Sequence, residues 1–503
     1  MGTQTPLQSS TSRPYSQDQE LVKGLGLTSA TALVMGSMIG SGIFIVSADI
    51  ARLVNSPALL IVAWAVAGFM TVVAAVSYGE LAAMMPKAGG QYVYLRESLG
   101  PLWGFLYGWT FFLVIQCGTI AAVGVAFGKF MGVFFPGISS TNWILHLYKV
   151  PPIPIGPMML GNMDVGLNTQ NLVAILTIVL LSIVNIYGIR LGAIIQDIFT
   201  FAKIAALAFV VLIGIAIGRN HEAIAANFGN FWQNTGSDAF FPAINLGGLL
   251  GIVVIVAVSQ VGSLFSADAW NSVTFTAAEV KNPQRNLPIS LAVGTGAVIG
   301  FYILANLVYL MVLPLAGIQH APEDRVGTAV MQQIFGPAGA GVMALLVLIS
   351  TFGCNNGLIL SGARVYYAMA KDGLFFKPVA RLHPKYKTPA VSLIVQMIWT
   401  SVLCLSGSYG QLLDYTIFAV LIFYILTLVG LFVLRRTQPD APRPYKAFGY
   451  PVLPAIYILM AVIIDIVLLI YKPQYTWPGL IIVLLGIPVY YVWSRKNEGS
   501  VRA

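Results

Sequence analysis

The first long apolar run of the chain, about residues 27–50, is interrupted at its middle by GSMIGSGIF (36–44). Hydrocarbon offers no water to a loosened backbone, so such a break must be buried in protein or line a polar cavity. A half-helix that begins there presents unpaired N–H groups and a positive dipole end, which suits a carboxylate. Broken helices near the bilayer midplane are how many secondary transporters hold small polar solutes. The interruption therefore points toward transport.

Composition makes the run a membrane span. The chain is 57% hydrophobic and 9% charged, with a mean hydropathy of +0.82, far more apolar than an ordinary soluble domain. A crossing takes about 20 apolar residues, and twelve such stretches start near residues 27, 56, 101, 169, 196, 249, 290, 336, 389, 412, 450 and 477. The expected fold class is an all-α integral membrane protein. The longest polar connections, near 136–168 and 218–245, are too short for a soluble domain.

Residues 1–20 are rich in Ser, Thr, Gln and Pro and lack the apolar core of a cleavable signal; they read as a disordered cytoplasmic tail. Residues 21–493 read as one transmembrane domain and 494–503 as a cytoplasmic C-terminal tail. The cysteines Cys117, Cys354 and Cys404 all fall in predicted helices, which argues against a structural disulfide. With both termini in the cytoplasm, only Arg52, Lys149, Arg219, Arg325 and Lys472 face out, Lys129 and Lys203 fall within spans, and every other Lys or Arg lies inside. That loop bias sets the orientation and accounts for the net charge of +9 without a nucleic-acid partner.

The sixth span is broken as well. SLFSADAWNS (263–272) places Asp268 in an otherwise apolar stretch. An acid at a helix centre costs about 2.5–3.5 kcal/mol on insertion scales, so it should face a cavity or a partner. If the chain divides as 5+5+2 spans, these two breaks hold equivalent places in two five-helix halves. Matched interruptions are the sequence pointer to an inverted-repeat binding site. A Gly/Ser packing face between helices is the alternative for each break alone; its recurrence in both spans favours the site.

These segments resemble the amino acid–polyamine–organocation superfamily, in particular its L-type amino acid transporter branch. The matching pieces are GSMIGSGIF (36–44), YGELAAMMPKAGGQYVYLRESLGPLWGFLYGW (78–109), QDIFTFAKIAAL (196–207), FSADAWNSVTFTAAEVKNPQRNLP (265–288), FGCNNGLILSGARVYYAMAKDGLFF (352–376) and HPKYKTPAVSL (383–393). The resemblance implies a LeuT-type fold of twelve transmembrane helices, with helices 1–5 and 6–10 as inverted repeats and two helices appended. It also implies amino acid transport in the plasma (inner) membrane.

Carried over residue by residue, the resemblance puts the substrate carboxylate on Ser41 and Gly42, with Gly40 keeping the backbone open. The ammonium would meet backbone carbonyls near Met38 and near Phe265, Ser266 and Asp268, in keeping with half-helix dipoles. Phe265 would gate the site; an ordinary packed Phe is the alternative. Lys203 would act as a built-in cation that contacts the broken first helix where sodium-coupled relatives hold an ion, whereas snorkelling is the generic reading of such a Lys. Val114, Ile115 and Gln116 are placed by the same alignment beside the substrate side chain. For Asp268 two readings stand open, pairing with a cationic side chain or the ammonium and holding the unwound backbone by local hydrogen bonds.

Other polar residues are less telling. Glu80 reads as a cap or a partner of loop cations, Asn355 and Asn356 as pathway residues or cross-helix hydrogen bonders, and Lys129, Asp414 and Asp465 as packing or interfacial groups. His146, His221, His320 and His383 are scattered over loops, which excludes HExxH-type zinc chemistry. The sequence contains no GxSxG elbow and no phosphate-binding loop, so neither hydrolase nor ATPase machinery is expected, nor a cofactor. The expected function is secondary transport of L-amino acids by alternating access, as a sodium-independent exchanger or a proton symporter, over a broad neutral range with cationic acceptance left open. A solute channel or non-transporting sensor on the same scaffold is the alternative. No cysteine lies between Phe135 and Leu172, so no disulfide-linked heavy subunit is expected.

Overall fold

The computed structural model describes residues 21, 23–151, 153–155, 158–160, 163–233, 248–405 and 409–501. The tail 1–20 and part of the 218–245 connection lie outside them. Among the described residues, eleven helices are long and apolar enough to cross a membrane, and Ala390–Cys404 is a shorter apolar one. Their lipid-type faces read directly from burial. On the helix Val452–Tyr471, Leu459, Ile463, Ile466 and Ile470 are exposed, whereas Asp465 is buried. That is the reverse of a soluble helix, and it is the arrangement a hydrocarbon solvent favours.

In chain order the helices begin with the first broken span, α1 (Leu27–Met38), α2 (Gly42–Ile45) and α3 (Ser47–Val54). Next come α4 (Pro57–Met84), α5 (Gln91–Leu99) and α6 (Pro101–Thr110); α6 runs through a π-helical turn (Phe111–Ile115) into α7 (Gln116–Met131). α8 (Thr169–Ile186), α9 (Ile189–Ala216) and α10 (His221–Gly229) follow. The second broken span is α11 (Gly248–Ser266) and α12 (Ser272–Phe275). The rest are α13 (Pro283–Val312), α14 (Leu315–Gln319), α15 (Val326–Phe335), α16 (Pro337–Lys371), α17 (Ala390–Cys404), α18 (Tyr409–Thr437), α19 (Val452–Tyr471) and α20 (Pro473–Val501).

Two starts lie well before the apolar runs that announced them. α13 begins at Pro283 rather than near 290, because Pro at the first helical position is pre-organised for a helix and gives up only an N–H that lacks a partner anyway. α9 begins at Ile189 instead of near 196. The all-α expectation also needs one correction. The 136–168 connection forms β1 (Trp143–Val150) paired antiparallel with β4 (Met163–Asn168), and β2 (Ile153–Ile155) paired with β3 (Met158–Leu160). The β-branched and aromatic residues of WILHLYKV fit a pleated ladder. Arg364 lies within α16, 1% exposed, against Glu279.

α13 packs along α4 at small residues. A Cβ at Gly68 would stand 2.4 Å from Ile299 Cγ2, so only glycine lets the two helices come this close. At the end of the bundle where α1 begins, the backbone of Leu25 pairs in parallel with Val280. Glu80, fully buried on α4, accepts from Arg435 at 2.6 and 2.9 Å, from Arg443 at 3.2 Å and from the Ala447 N–H at 2.7 Å. Its reading as a partner of nearby cations stands. At the opposite end, Arg52 on α3 donates to Asp324 at 2.9 Å and to the Gln319 carbonyl at 2.6 Å.

Candidate substrate site at two broken helices

The first break falls at residues 39–41 and leaves five carbonyls without helical partners. Each finds a side-chain donor from a neighbouring helix. Lys203 Nζ donates to the Gly36 and Ile39 carbonyls at 2.7 and 2.9 Å. Cys354 Sγ donates to Ser37 at 3.0 Å, and Tyr302 Oη to Met38 at 3.0 Å. Ser350 Oγ lies 3.1 Å from both the Ile39 and the Gly40 carbonyls. The break is thus held from α9, α13 and α16. Burying these groups without donors would cost about 1–3 kcal/mol apiece.

The second break spans residues 267–271. Ala269 there has φ of 64°, an uncommon left-handed conformation for a residue with a Cβ. The Ser266 carbonyl accepts from the same Tyr302 hydroxyl at 3.1 Å, so one tyrosine on an unbroken helix joins both breaks. The breaks also touch directly. A Cβ at Gly42 would lie 2.2 Å from Ser266 Oγ and 3.0 Å from Ser266 Cα. Glycine at the start of the second half of helix one is a requirement of this approach.

Met38, Gly42 and Ser266 therefore come together at the two breaks. Ser41, 1% exposed, is the N-cap residue of α2, and Gly40 faces Cys354, whose Sγ would be 3.2 Å from a Cβ there. Asp268 lies in the unwound stretch, not in a helix, and its Oδ1 accepts from Tyr424 on α18 at 2.5 Å. Neither sequence reading of Asp268 included this bond. Phe265 is 8% exposed. Ile115 and Gln116 line a cavity with Asp268, Gln91, Tyr107 and Tyr424, whereas Val114 lines neither this cavity nor the one behind Asp268. The π-helical turn of Phe111–Ile115 widens the helix where it lines this cavity, a distortion common at functional sites.

Beneath Asp268 the floor is tied by Asn271 Nδ2 donating to Gln91 Oε1 and Gln91 Nε2 donating to Thr427 Oγ1, each at 3.1 Å. The cavity holds about 20 Å³, room for one water, against roughly 300–1,000 Å³ for an open small-molecule site.

Tyr302, Ser350, Cys354, Tyr424 and Gln91 escaped the sequence reading. Each sits in a helix of ordinary apolar or mixed pattern, and only the break it serves makes it distinctive. Asn356 bonds the Gly192 carbonyl and Gln196 across to α9, and Asn185 donates to it; cross-helix bonding was the correct alternative there. Asp465 has a buried Oδ1 without a partner among the described residues, and the side chain of Asp414 lies outside them.

A mostly helical membrane chain with two facing helix breaks and an internal cation is the form of a secondary transporter. The amino acid permease family profile matches residues 25–491, and the chain belongs to that family, within the superfamily and L-type-like branch its motifs indicated. It is 28% identical over 485 residues to the serine/threonine exchanger SteT of Bacillus subtilis, covering 96% of this chain and 99% of that one. It is 30% identical to the human large neutral amino acids transporter small subunit 2 (95% and 82% covered) and 28% identical to the human b(0,+)-type amino acid transporter 1 (95% and 89% covered).

Proposed function

We propose that the protein is a sodium-independent secondary transporter of L-amino acids that works by alternating access about the two breaks. The observation that carries this reading is Lys203, fully buried, with its ammonium on two carbonyls of the broken first helix. A fixed positive charge there repels a second cation and serves the free carbonyls that a bound ion would otherwise serve. The substrate carboxylate lies at Ser41 and Gly42, on the N–H groups of the half-helix they open. The ammonium lies at the carbonyls near Met38, Phe265, Ser266 and Asp268, and Phe265 closes over it. The side chain points toward Ile115 and Gln116, which line the cavity beside Asp268.

The reading includes twelve spans, with helices 1–5 and 6–10 as inverted repeats, both termini cytoplasmic, in the plasma (inner) membrane. It includes a chain that works without a disulfide-linked subunit. Relatives named as a serine/threonine exchanger and as neutral and b(0,+)-type transporters support a broad neutral range. The test is counterflow into proteoliposomes preloaded with each standard amino acid. Trans-acceleration supports a carrier, and flux without it identifies a channel.

A further inference from the structure

The outward face of α13 carries an open stripe that begins at a charge. Arg285, Ile289, Ala292, Gly296 and Gly300 recur at the spacing of one helical face, and Val293 beside them is 56% exposed. At Gly296 and Gly300 a Cβ would meet nothing within 4 Å, so the stripe there is a track free of side chains. At its head lies a groove of about 550 Å³, formed by Gln284, Arg285, Pro288 and Ile289 on one side and by Pro444 and Tyr445 on the other. Among the described residues that line it, Arg285 alone is charged. It is exposed and forms no ion pair among the described residues. The far wall is fixed in place. Arg443 and the Ala447 N–H, on either side of Pro444 and Tyr445, both donate to Glu80. The Tyr445 ring sits against α4, with Cε1 3.0 Å from where a Cβ at Gly79 would stand. The groove thus has a cationic rim, an aromatic wall and an apolar floor that runs on along the helix. Helical rise puts Gly296 about 16 Å along the axis from Arg285, and half the hydrocarbon thickness of a bilayer is about 15 Å. That is the reach of one acyl chain below a headgroup at Arg285.

We propose that the groove binds an anionic phospholipid from the leaflet at the end of the bundle where α1 begins. Its phosphate lies on the Arg285 guanidinium, and an acyl chain follows Ile289, Ala292 and Gly296. A guanidinium meets a phosphate with paired N–H donors. A zwitterionic headgroup would bring a cation of its own beside that phosphate and Arg285, so a lipid of net negative charge fits better. The bound lipid ties α13 to the 444–447 connection and, through it, to Glu80 on α4. The site is separate from the two breaks and would stand even if the chain carried no amino acid.

Native mass spectrometry of the purified full chain in neutral detergent, titrated with phosphatidylglycerol or phosphatidylcholine, tests this. Wild type should hold one phosphatidylglycerol more tightly than any phosphatidylcholine. Arg285→Gln should weaken that first phosphatidylglycerol roughly fivefold, the share of one cation at a charged bilayer surface, and Arg285→Lys should lose less. Gly296→Phe, which puts a ring into the open track, should weaken it as well. Glycerol phosphate, a headgroup without chains, should not displace it. Lys385→Gln, an exposed cation in the basic stretch after α16, should leave it unchanged. Arg285 is exposed and Gly296 faces open space, so neither change threatens the fold, and denaturation midpoints without lipid should match wild type. The proposal is overturned if Arg285→Gln or Gly296→Phe binds phosphatidylglycerol as wild type does, or if Lys385→Gln loses as much as Arg285→Gln. Displacement by glycerol phosphate, or phosphatidylcholine held as tightly as phosphatidylglycerol, would overturn it equally.

Discussion

Lys203 Nζ reaches the Gly36 and Ile39 carbonyls at the point where α1 gives up its helical hydrogen bonds. Ile39 has a second donor in Ser350; Gly36 depends on Lys203 among the described residues. Lys203→Ala should therefore cost about 1–3 kcal/mol in stability and impair transport by loosening helix one. Thermal denaturation of the purified variant, beside its counterflow rate, checks both. Stability and rate equal to wild type would show that the lysine does not hold the break.

Gly42 and Ser266 are too close for any other residue at 42. Gly42→Ala should abolish transport of every amino acid, because the new methyl meets Ser266 Oγ, Cβ and Cα at 2.2, 2.8 and 3.0 Å. Two of those atoms are side chain, so adding Ser266→Gly should restore part of the activity. Normal transport by Gly42→Ala alone would mean that the half-helices do not approach this closely.

The Asp268–Tyr424 bond turns the selectivity question into a paired experiment. Asp268→Asn keeps the size and removes the charge, while Tyr424→Phe removes the hydroxyl that Asp268 accepts from. Arginine and lysine uptake should fall in Asp268→Asn while alanine and leucine uptake survives. Equal loss across substrates would assign Asp268 to the scaffold or the substrate ammonium. Tyr424→Phe frees the carboxylate and should favour cationic substrates over neutral ones in the same uptake assay.

Glu80 gathers the Arg435 and Arg443 guanidinium groups and an Ala447 N–H at one end of the bundle. Glu80→Ala takes the acid from two half-buried arginines and the acceptor from the Ala447 N–H, and should cost about 1–3 kcal/mol. Glu80→Gln, which keeps an acceptor, should cost less. Denaturation midpoints that do not separate the two variants would show that the cluster is held by other contacts.

The two breaks were legible because GSMIGSGIF and SLFSADAWNS violate the apolar pattern that lipid demands, and such violations stand out against a uniform background. Lys203 was legible for the same reason, as a charge deep in an apolar span. Tyr302 and Tyr424 were not, since a tyrosine in a membrane helix breaks no pattern and its role depends on which carbonyl lies opposite. The hairpin of β1 and β4 was missed because a connection between spans carries no amphipathic period to compete with its polar residues. The Arg364–Glu279 pair was not legible because its two members lie on different segments, and a buried pair cannot be read from one helix alone.

The central claim is that a fixed cation takes the place of a transported one at the break in helix one. Counterflow of the standard amino acids in proteoliposomes, with sodium replaced throughout by choline, tests it most directly. The account predicts trans-accelerated uptake of neutral L-amino acids at the same rate in both salts. Strict dependence on sodium, or uptake of no amino acid in either salt, would contradict it.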